Sequence, residues 1–268
     1  MEENDAKYDP RIRRAKLKPH KDSSFQKIIA VVSGKGGVGK SFVTSLLAVS
    51  LMNEGHKVSI MDADITGPSI SKTFGEDNYT CMGDKEGIFP AKTSRGLTLI
   101  SSNNLLDDPT TPIVWRGSLI SSLVAQMFTE VVYGEKEFLL IDMPPGTGDV
   151  PLTVFQQLPI DGIVIVTSPQ DLVSEVVTKS IKMAKMMNVK ILGVVENMAY
   201  VKCPHCGEEI PLFGKDNVQD LLKNMDVSLL DRLGIDPALT SLIDEGKIEE
   251  YKGNDLKNTV QAVTNLLK

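Results

Sequence analysis

A short apolar strand that runs into a glycine-rich loop and out into a helix constrains this chain more than any other feature. Ile28-Ile29-Ala30-Val31-Val32 is apolar and rich in β-branched residues, the pattern of a strand buried on both faces. Gly34-Lys35-Gly36-Gly37-Val38-Gly39-Lys40-Ser41 follows at once, and Ser41 to Asn53 carries apolar residues at helical spacing. The loop completes the phosphate-binding pattern Gly-x-x-x-x-Gly-Lys-Ser through Gly34, Gly39, Lys40 and Ser41. Its chemistry follows from its shape. Glycines let the backbone wrap close to an anion, successive N–H groups point at phosphate oxygens, and the helix N-terminus adds a favourable dipole. Lys40 is expected to contact the β- and γ-phosphates of a nucleotide and Ser41 to ligate Mg2+. Lys35 is a second lysine inside the loop, surplus to that pattern.

Strand and helix signals alternate from Lys27 onward, which is the pattern of βαβ units. Residues 57–61, 138–141, 162–167 and 190–195 read as further buried parallel strands. Between them, 118–128 and 172–187 read as covering helices, the first with Leu119, Ile120, Leu123, Val124, Met127 and Phe128 on one face. The second does the same with Val173, Val176, Val177, Ile181 and Ala184, and Met183, Met186 and Met187 beside them read as core filler. The expected fold is α/β, a mostly parallel central sheet flanked by helices on both faces. Residues 1–26, with the basic run Arg11-Ile12-Arg13-Arg14-Ala15-Lys16-Leu17-Lys18, read as a flexible arm, and 27–268 as a single domain.

The chain of 268 residues has a formal net charge of -6, which argues against a phosphate-tracking surface and hence against nucleic acid as the main partner. Three cysteines do not make a disulfide framework, so a reducing cytoplasm is the expected compartment. No segment approaches the roughly 18 apolar residues of a membrane span. Leu256, Val260, Val263 and Leu267 sit at core-like spacing near the C-terminus, unlike an amphipathic membrane anchor.

Two carboxylate clusters follow strands. Asp62-Ala63-Asp64-Ile65-Thr66-Gly67-Pro68-Ser69 places Asp62 and Asp64 at a strand's carboxyl end, where open parallel sheets bind ligands. One carboxylate can orient an attacking water and the other can help hold a metal's water shell. Asp142, in Asp142-Met143-Pro144-Pro145-Gly146-Thr147-Gly148-Asp149, has the apolar-strand-then-Asp form of a Walker B element that supports Mg2+. The loop after it combines glycines that permit movement with prolines that limit it. A third cluster, Cys203-Pro204-His205-Cys206-Gly207, spaces two sulfurs for one metal or cluster. Zinc and iron-sulfur sites usually take four protein ligands, so two chains meeting at a two-fold axis would complete a four-thiolate site. A thioredoxin-like redox couple and a metal-free loop are the other readings of this pair. Cys81, in a segment of weak pattern, reads as a passive thiol.

With these motifs in view, the chain resembles the Mrp/ApbC-type iron-sulfur cluster carrier ATPases, in the deviant-Walker class of P-loop NTPases (SIMIBI, MinD-like) that also holds MinD and the nitrogenase iron protein. The resemblance runs from about Lys27 to the C-terminus. It rests on the glycine loop, Asp62-Ala63-Asp64 with Gly67-Pro68-Ser69, Trp115-Arg116-Gly117, the Asp142 to Asp149 loop, Glu196-Asn197-Met198 and the Cys203 to Gly207 segment. It implies an ATP-binding, slowly hydrolysing homodimer in which Lys35 reaches the partner's phosphates, Asp64 positions the hydrolytic water and Asn197 reads the adenine. It further implies that Cys203 and Cys206 hold a labile 4Fe-4S cluster between subunits, received from donors and passed to apo-proteins, with Zn2+ able to enter the same cage. The arm carries no cysteine, so a second, stable cluster is not expected. A positioning ATPase of the MinD or ParA kind, or an ATPase switch with a structural or redox dithiol, are the alternatives to that function.

Overall fold

The buried run at Ile28 to Val32 lies at the centre of the sheet, which is where a strand apolar on both sides is most stable. The computed structural model describes residues 15–105, 117–169, 175–213 and 222–268. In chain order its strands are β1 (Ser23–Ser33), β2 (Val58–Asp62), β3 (Gly83–Asp84), β4 (Gly87–Ile88), β5 (Ala91–Lys92), β6 (Thr98–Ile100), β7 (Gly134–Asp142), β8 (Gly162–Thr167), β9 (Ile191–Glu196), β10 (Val201–Lys202), β11 (Glu209–Ile210) and β12 (Leu229–Arg232). The α-helices are α1 (Lys40–Asn53), α2 (Ile70–Thr73), α3 (Gly117–Thr129), α4 (Asp149–Gln157), α5 (Glu175–Met186), α6 (Pro237–Asp244) and α7 (Lys257–Thr264).

Among the described residues, eight strands form one sheet in the order β12-β9-β8-β1-β7-β2-β6-β5. Its pairings are parallel except that of β5 with β6 at one edge. Alternation along β1 divides the core. Ile28, Ala30 and Val32 join the cluster that holds Val124, Met127 and Phe128 of α3, Phe155 of α4 and Ile181 of α5. Ile29 and Val31 join the opposite cluster, with Leu46 and Leu47 of α1, Leu239 of α6 and Val260 and Val263 of α7. Helices thus cover both faces, and β1, β2 and β7 deliver their carboxyl ends to one rim.

The strand begins earlier than its composition suggests. Residues 23–27 are polar or mixed, yet Ser23 pairs with Gly134 and Phe25 with Lys136, and the Phe25 ring packs edge-on against Tyr133 at 5.4 Å. Lys16 Nζ donates to the Phe155 carbonyl at 2.6 Å and Leu17 N–H to that of Gln157 at 2.8 Å. Within the stretch read from sequence as part of an arm, Lys16 and Leu17 therefore dock at the end of α4 and Ser23 to Phe25 pair with β7. The amide and hydroxyl bonds that hold them need no apolar run, so periodicity does not reveal them. Arg11 to Arg14, Trp115, Arg116, Leu172 and Val173 lie outside the described residues.

At the other end, Leu256, Val260 and Val263 are buried, so the last helix turns its apolar face into the core. It is capped from a strand. Asp231 accepts the Thr259 N–H at 2.8 Å and its hydroxyl at 2.6 Å, supplying an acceptor that the helix's own first turn lacks. Of the three methionines, Met183 is buried and Met187 packs at the core's margin, whereas Met186 is 62% exposed. No helix among the described residues is long and apolar enough to cross a membrane.

Candidate functional site: a phosphate loop, three carboxylates and an exposed dithiol

The glycine loop bridges the end of β1 and the start of α1, and positive φ angles make its shape possible. Gly37 has φ 83° and Gly39 φ 80°, values that a side chain disfavours. At Gly39 space is also short, because a Cβ there would overlap the Asn197 side-chain amide. That amide donates to the Val38 carbonyl at 3.0 Å. Asn197 thus braces the loop from the end of β9, with its own N–H held by the Thr167 carbonyl at 2.8 Å. Ser33 Oγ donates to the Lys35 carbonyl at 2.9 Å and fixes the loop's other side. Lys35 itself is exposed.

Lys40 is buried, with its ammonium 2.8 Å from Asp142 Oδ1 and 3.4 Å from Asp64 Oδ2. Asp142 is fully buried and also accepts from Ser41 Oγ at 2.5 Å and Thr44 Oγ1 at 2.9 Å. Burial raises the pKa of Asp142, while Lys40, Ser41 and Thr44 pull it back. The structure therefore gathers Ser41, Asp64 and Asp142, spread over a hundred positions of sequence, around the Lys40 ammonium. Thr44 was not among the residues singled out from sequence; it is one turn beyond Lys40, and that spacing is its only signal.

Asp62 pairs in register with Asp142 across β2 and β7, but its oxygens face another way. Oδ2 accepts from Ser69 N–H at 3.2 Å, Ile70 N–H at 3.3 Å and Ser101 Oγ at 3.0 Å, and Oδ1 from Asp64 N–H at 3.2 Å. Asp62 holds the start of α2 and the Asp64 turn in place, a bracing task that the sequence reading did not assign to it. Burial and the neighbouring Asp142 charge push its carboxyl up to about 7, against the opposing pull of Lys40. Ser101 and the fully buried Asn104, which ties Ser71, Glu76 and Tyr79 together, complete this support.

Ser41 and Asp142 offer hard oxygen donors to one point, and a positive group already lies against them, so the donor set fits Mg2+ beside a triphosphate. Next to the loop, Phe42 and Leu46 of α1 face Tyr200, Leu233, Ile235 and Pro237 across an apolar cavity of about 600 Å3. Sequence reasoning missed this cavity, since its walls come from segments that share no motif.

Cys203 and Cys206 sit at the tip of a hairpin formed by β10 and β11, in which Val201 pairs with Ile210 and Lys202 with Glu209. Cys203 N–H donates to the Glu208 carbonyl and Gly207 N–H to that of Cys203, both at 2.9 Å. Gly207 closes the turn with φ 74°. The backbone N–H groups of Cys206 and His205 point at the Cys203 sulfur and lower its pKa, the arrangement that a thiolate ligand needs. Cys206 is exposed. No group of three or more His, Cys, Asp or Glu side chains placed to hold a metal gathers among the described residues. Cys81 is half-buried far from this hairpin in sequence, and burial pushes its thiol up to about 11.

A family model described as NUBPL iron-transfer P-loop NTPase matches residues 24–268. The chain belongs to this family. An iron-sulfur cluster carrier protein of Clostridium perfringens is 43% identical over 235 residues, covering 85% of this chain and 82% of the relative. A nucleotide-binding protein of Archaeoglobus fulgidus, solved in complex with ADP, superposes with a TM-score of 0.78 at 43% identity, covering 87% of this chain and 91% of that one. The cell division ATPase MinD of Pyrococcus furiosus shares the fold, with a TM-score of 0.60 at 22% identity over 90% of this chain and 99% of its own. The α/β architecture and the P-loop NTPase class expected from the motifs are thereby borne out.

Proposed function

We propose that this chain is an ATP-binding and ATP-hydrolysing carrier that assembles a labile 4Fe-4S cluster between two copies of itself and hands it to apo-proteins in the cytoplasm. One observation carries the reading: a phosphate loop with its acidic partners occupies the same domain as a preorganised, solvent-accessible dithiol, Cys203 half-buried and Cys206 exposed, that supplies half of a four-thiolate set. The cluster is cargo, so the chain needs to grip it only as firmly as release allows.

The loop amides and Lys40 would bind the phosphates, and the base would enter the apolar cavity one turn along α1. Ser41 and Asp142 would hold Mg2+, which spreads the charge that develops on the transferred phosphoryl group. As Lys40 turns toward the phosphates it releases Asp64, whose carboxylate can then orient the attacking water. Asp62 keeps the Asp64 turn in register, and Asn197 keeps the loop open at Gly39. Lys35, exposed on the loop, would cross to the partner's phosphates, so hydrolysis would require the dimer in which Cys203 and Cys206 meet their counterparts.

The test is anaerobic reconstitution with iron and sulfide. Wild-type protein should take up about one cluster per two chains by the ligand count, and activate an apo-acceptor. A Cys203→Ala/Cys206→Ala variant should do neither while binding ATP normally; equal iron uptake and transfer by that variant would refute the proposal. Quantifying zinc in the same samples distinguishes a structural zinc site. A positioning ATPase would instead co-sediment with vesicles or DNA in ATP.

A further inference from the structure

The apolar cavity and the dithiol hairpin share a wall, to which Tyr200 contributes its ring. Beyond the sheet, the chain after β9 continues beside the chain after β12: Ala199 N–H donates to the Leu233 carbonyl and Ile235 N–H to the Tyr200 carbonyl, both at 2.8 Å. Val201, the first residue of the hairpin, forms a parallel bridge with Ile235. Tyr200 is therefore the last residue before the hairpin, and it lines the cavity together with Lys202 and Pro204 from the hairpin itself.

Its ring packs against Gly234. A Cβ at that glycine would come within 2.6 Å of Tyr200 Cε2 and 2.9 Å of Cδ2, so only glycine permits this close packing. The phenol is hydrogen-bonded to Glu209 on the second strand of the hairpin. Lys202, which pairs with Glu209 across the two strands, places its ammonium 5.9 Å from the ring centroid. Three of the ring's surroundings are thus distinct: the cavity, the rigid turn after β12, and both strands of the dithiol hairpin.

We infer that Tyr200 is a positioning residue that transmits occupancy of the cavity by a nucleotide base to the orientation of Cys203 and Cys206. The inference rests on the reading of the cavity as the base site and of the dithiol as the cluster site. A base entering between Phe42 and Tyr200 presses on the ring. The ring cannot retreat into Gly234, so it carries the hairpin with it through Glu209.

The experiment uses the full chain, reduced and free of metal, at one fixed pH. Iodoacetamide labelling is followed residue by residue by mass spectrometry, with half-buried Cys81 as the internal reference. Mg2+ with ATP is compared with Mg2+ with tripolyphosphate, which fills the loop but brings no base. ATP should change the labelling rate of Cys203 and Cys206 by about fivefold or more, the low end of ordinary coupling between sites, and tripolyphosphate should not. With ATP at a concentration that saturates each variant, checked by direct nucleotide binding, Tyr200→Ala should abolish the response, and Gly234→Ala, which displaces the ring without altering it, should do the same. Tyr200→Phe keeps the packing and loses only the Glu209 bond, so it should recover part of the response lost in Tyr200→Ala. Equal rates with and without ATP in the wild type, or a full response in Tyr200→Ala, would overturn the inference. If ATP binds no more tightly than tripolyphosphate, the base-site reading fails by a separate measurement and the inference falls with it.

Discussion

Replacing Gly39 by alanine gives a sharp test of how the loop is held, because its effect should depend on a residue 158 positions away, Asn197, whose amide bonds to Val38 on the loop's own backbone. Gly39 has φ 80°, and the left-handed region costs a residue with a Cβ roughly 1–2 kcal/mol. The new methyl also displaces the Asn197 amide and deprives the Val38 carbonyl of its donor, which adds about 1–2 kcal/mol for a buried acceptor left unsatisfied. Gly39→Ala should therefore destabilise the nucleotide-free protein by about 3 kcal/mol. Gly37, with φ 83° and nothing near its missing Cβ, should show the conformational cost alone, about 1–2 kcal/mol. Asn197→Ala by itself should cost about 2 kcal/mol for the lost bond and its packing. In the double variant the methyl meets no amide, so the loss of that bond is counted once and the total should reach only about 3–4 kcal/mol. Urea unfolding of the four proteins in EDTA, at constant m-value, gives the cycle. Additivity of the two substitutions within about 0.5 kcal/mol would refute the idea that Asn197 holds the loop through Gly39's empty side.

Further measurements address other parts of the molecule. Asp142→Asn should lower Mg2+-dependent ATP turnover by about 10–100-fold, since the carboxylate that neutralises Lys40, and that we propose supports the metal, is gone; unchanged turnover would exclude Asp142 from that role. Asp62 has its carboxyl raised from 3.8 to about 7, so the folded chain keeps a proton that the unfolded chain loses between those values, and stability from this group falls as pH rises through that window. Asp62→Asn should flatten that slope in metal-free protein, as read by thermal unfolding from about pH 4 to about pH 7. Asp231→Ala removes the acceptor for Thr259 and should cost about 2 kcal/mol in urea unfolding, with the C-terminal helix exchanging its amide protons first. At neutral pH, iodoacetamide should label Cys203 at least about tenfold faster than Cys81, because N–H groups stabilise one thiolate and burial suppresses the other.

How much of this was legible in the sequence depends on where each partner lies along the chain. The phosphate loop was legible because strand, glycines and helix are contiguous, and Asp142 because an apolar strand ending in Asp points its carboxylate at the same rim. The central strands were legible from uniform burial. The polar start of β1 and the short strands β6 and β12 were not, because two to four residues of mixed character carry no periodicity. Asp62 was recognised as functional by position, yet the groups that occupy its oxygens, the Ser69 and Ile70 N–H groups and the Ser101 hydroxyl, come from segments whose approach is set by tertiary packing. The cavity wall at Leu233 to Pro237 was invisible for the same reason. Sequence named the two thiols, but the N–H groups that activate Cys203 belong to a turn closed by Gly207, and only the folded hairpin reveals them.

The phosphate loop and the dithiol are some 160 residues apart in sequence but adjoin a single stretch of chain. Asn197 is bonded to Val38 by its side chain and to Thr167 by its backbone. Ala199 and Tyr200 are then tied to Leu233 and Ile235, and the hairpin opens at Val201 with Cys203 at its tip. Asn197 is thus fixed to the P-loop, Ala199 to Val201 to the extension of β12, and Lys202 and Cys203 to the second side of the hairpin, with no long flexible linker between them. A sheet whose central strands are rigid leaves movement to what projects beyond its rim. What projects here is the glycine loop on one side, the dithiol hairpin on the other, and the short segment that belongs to both. On the function proposed above, a nucleotide that reshapes the first works against the same few contacts that orient the second, so nucleotide state and cluster grip should be difficult to vary independently.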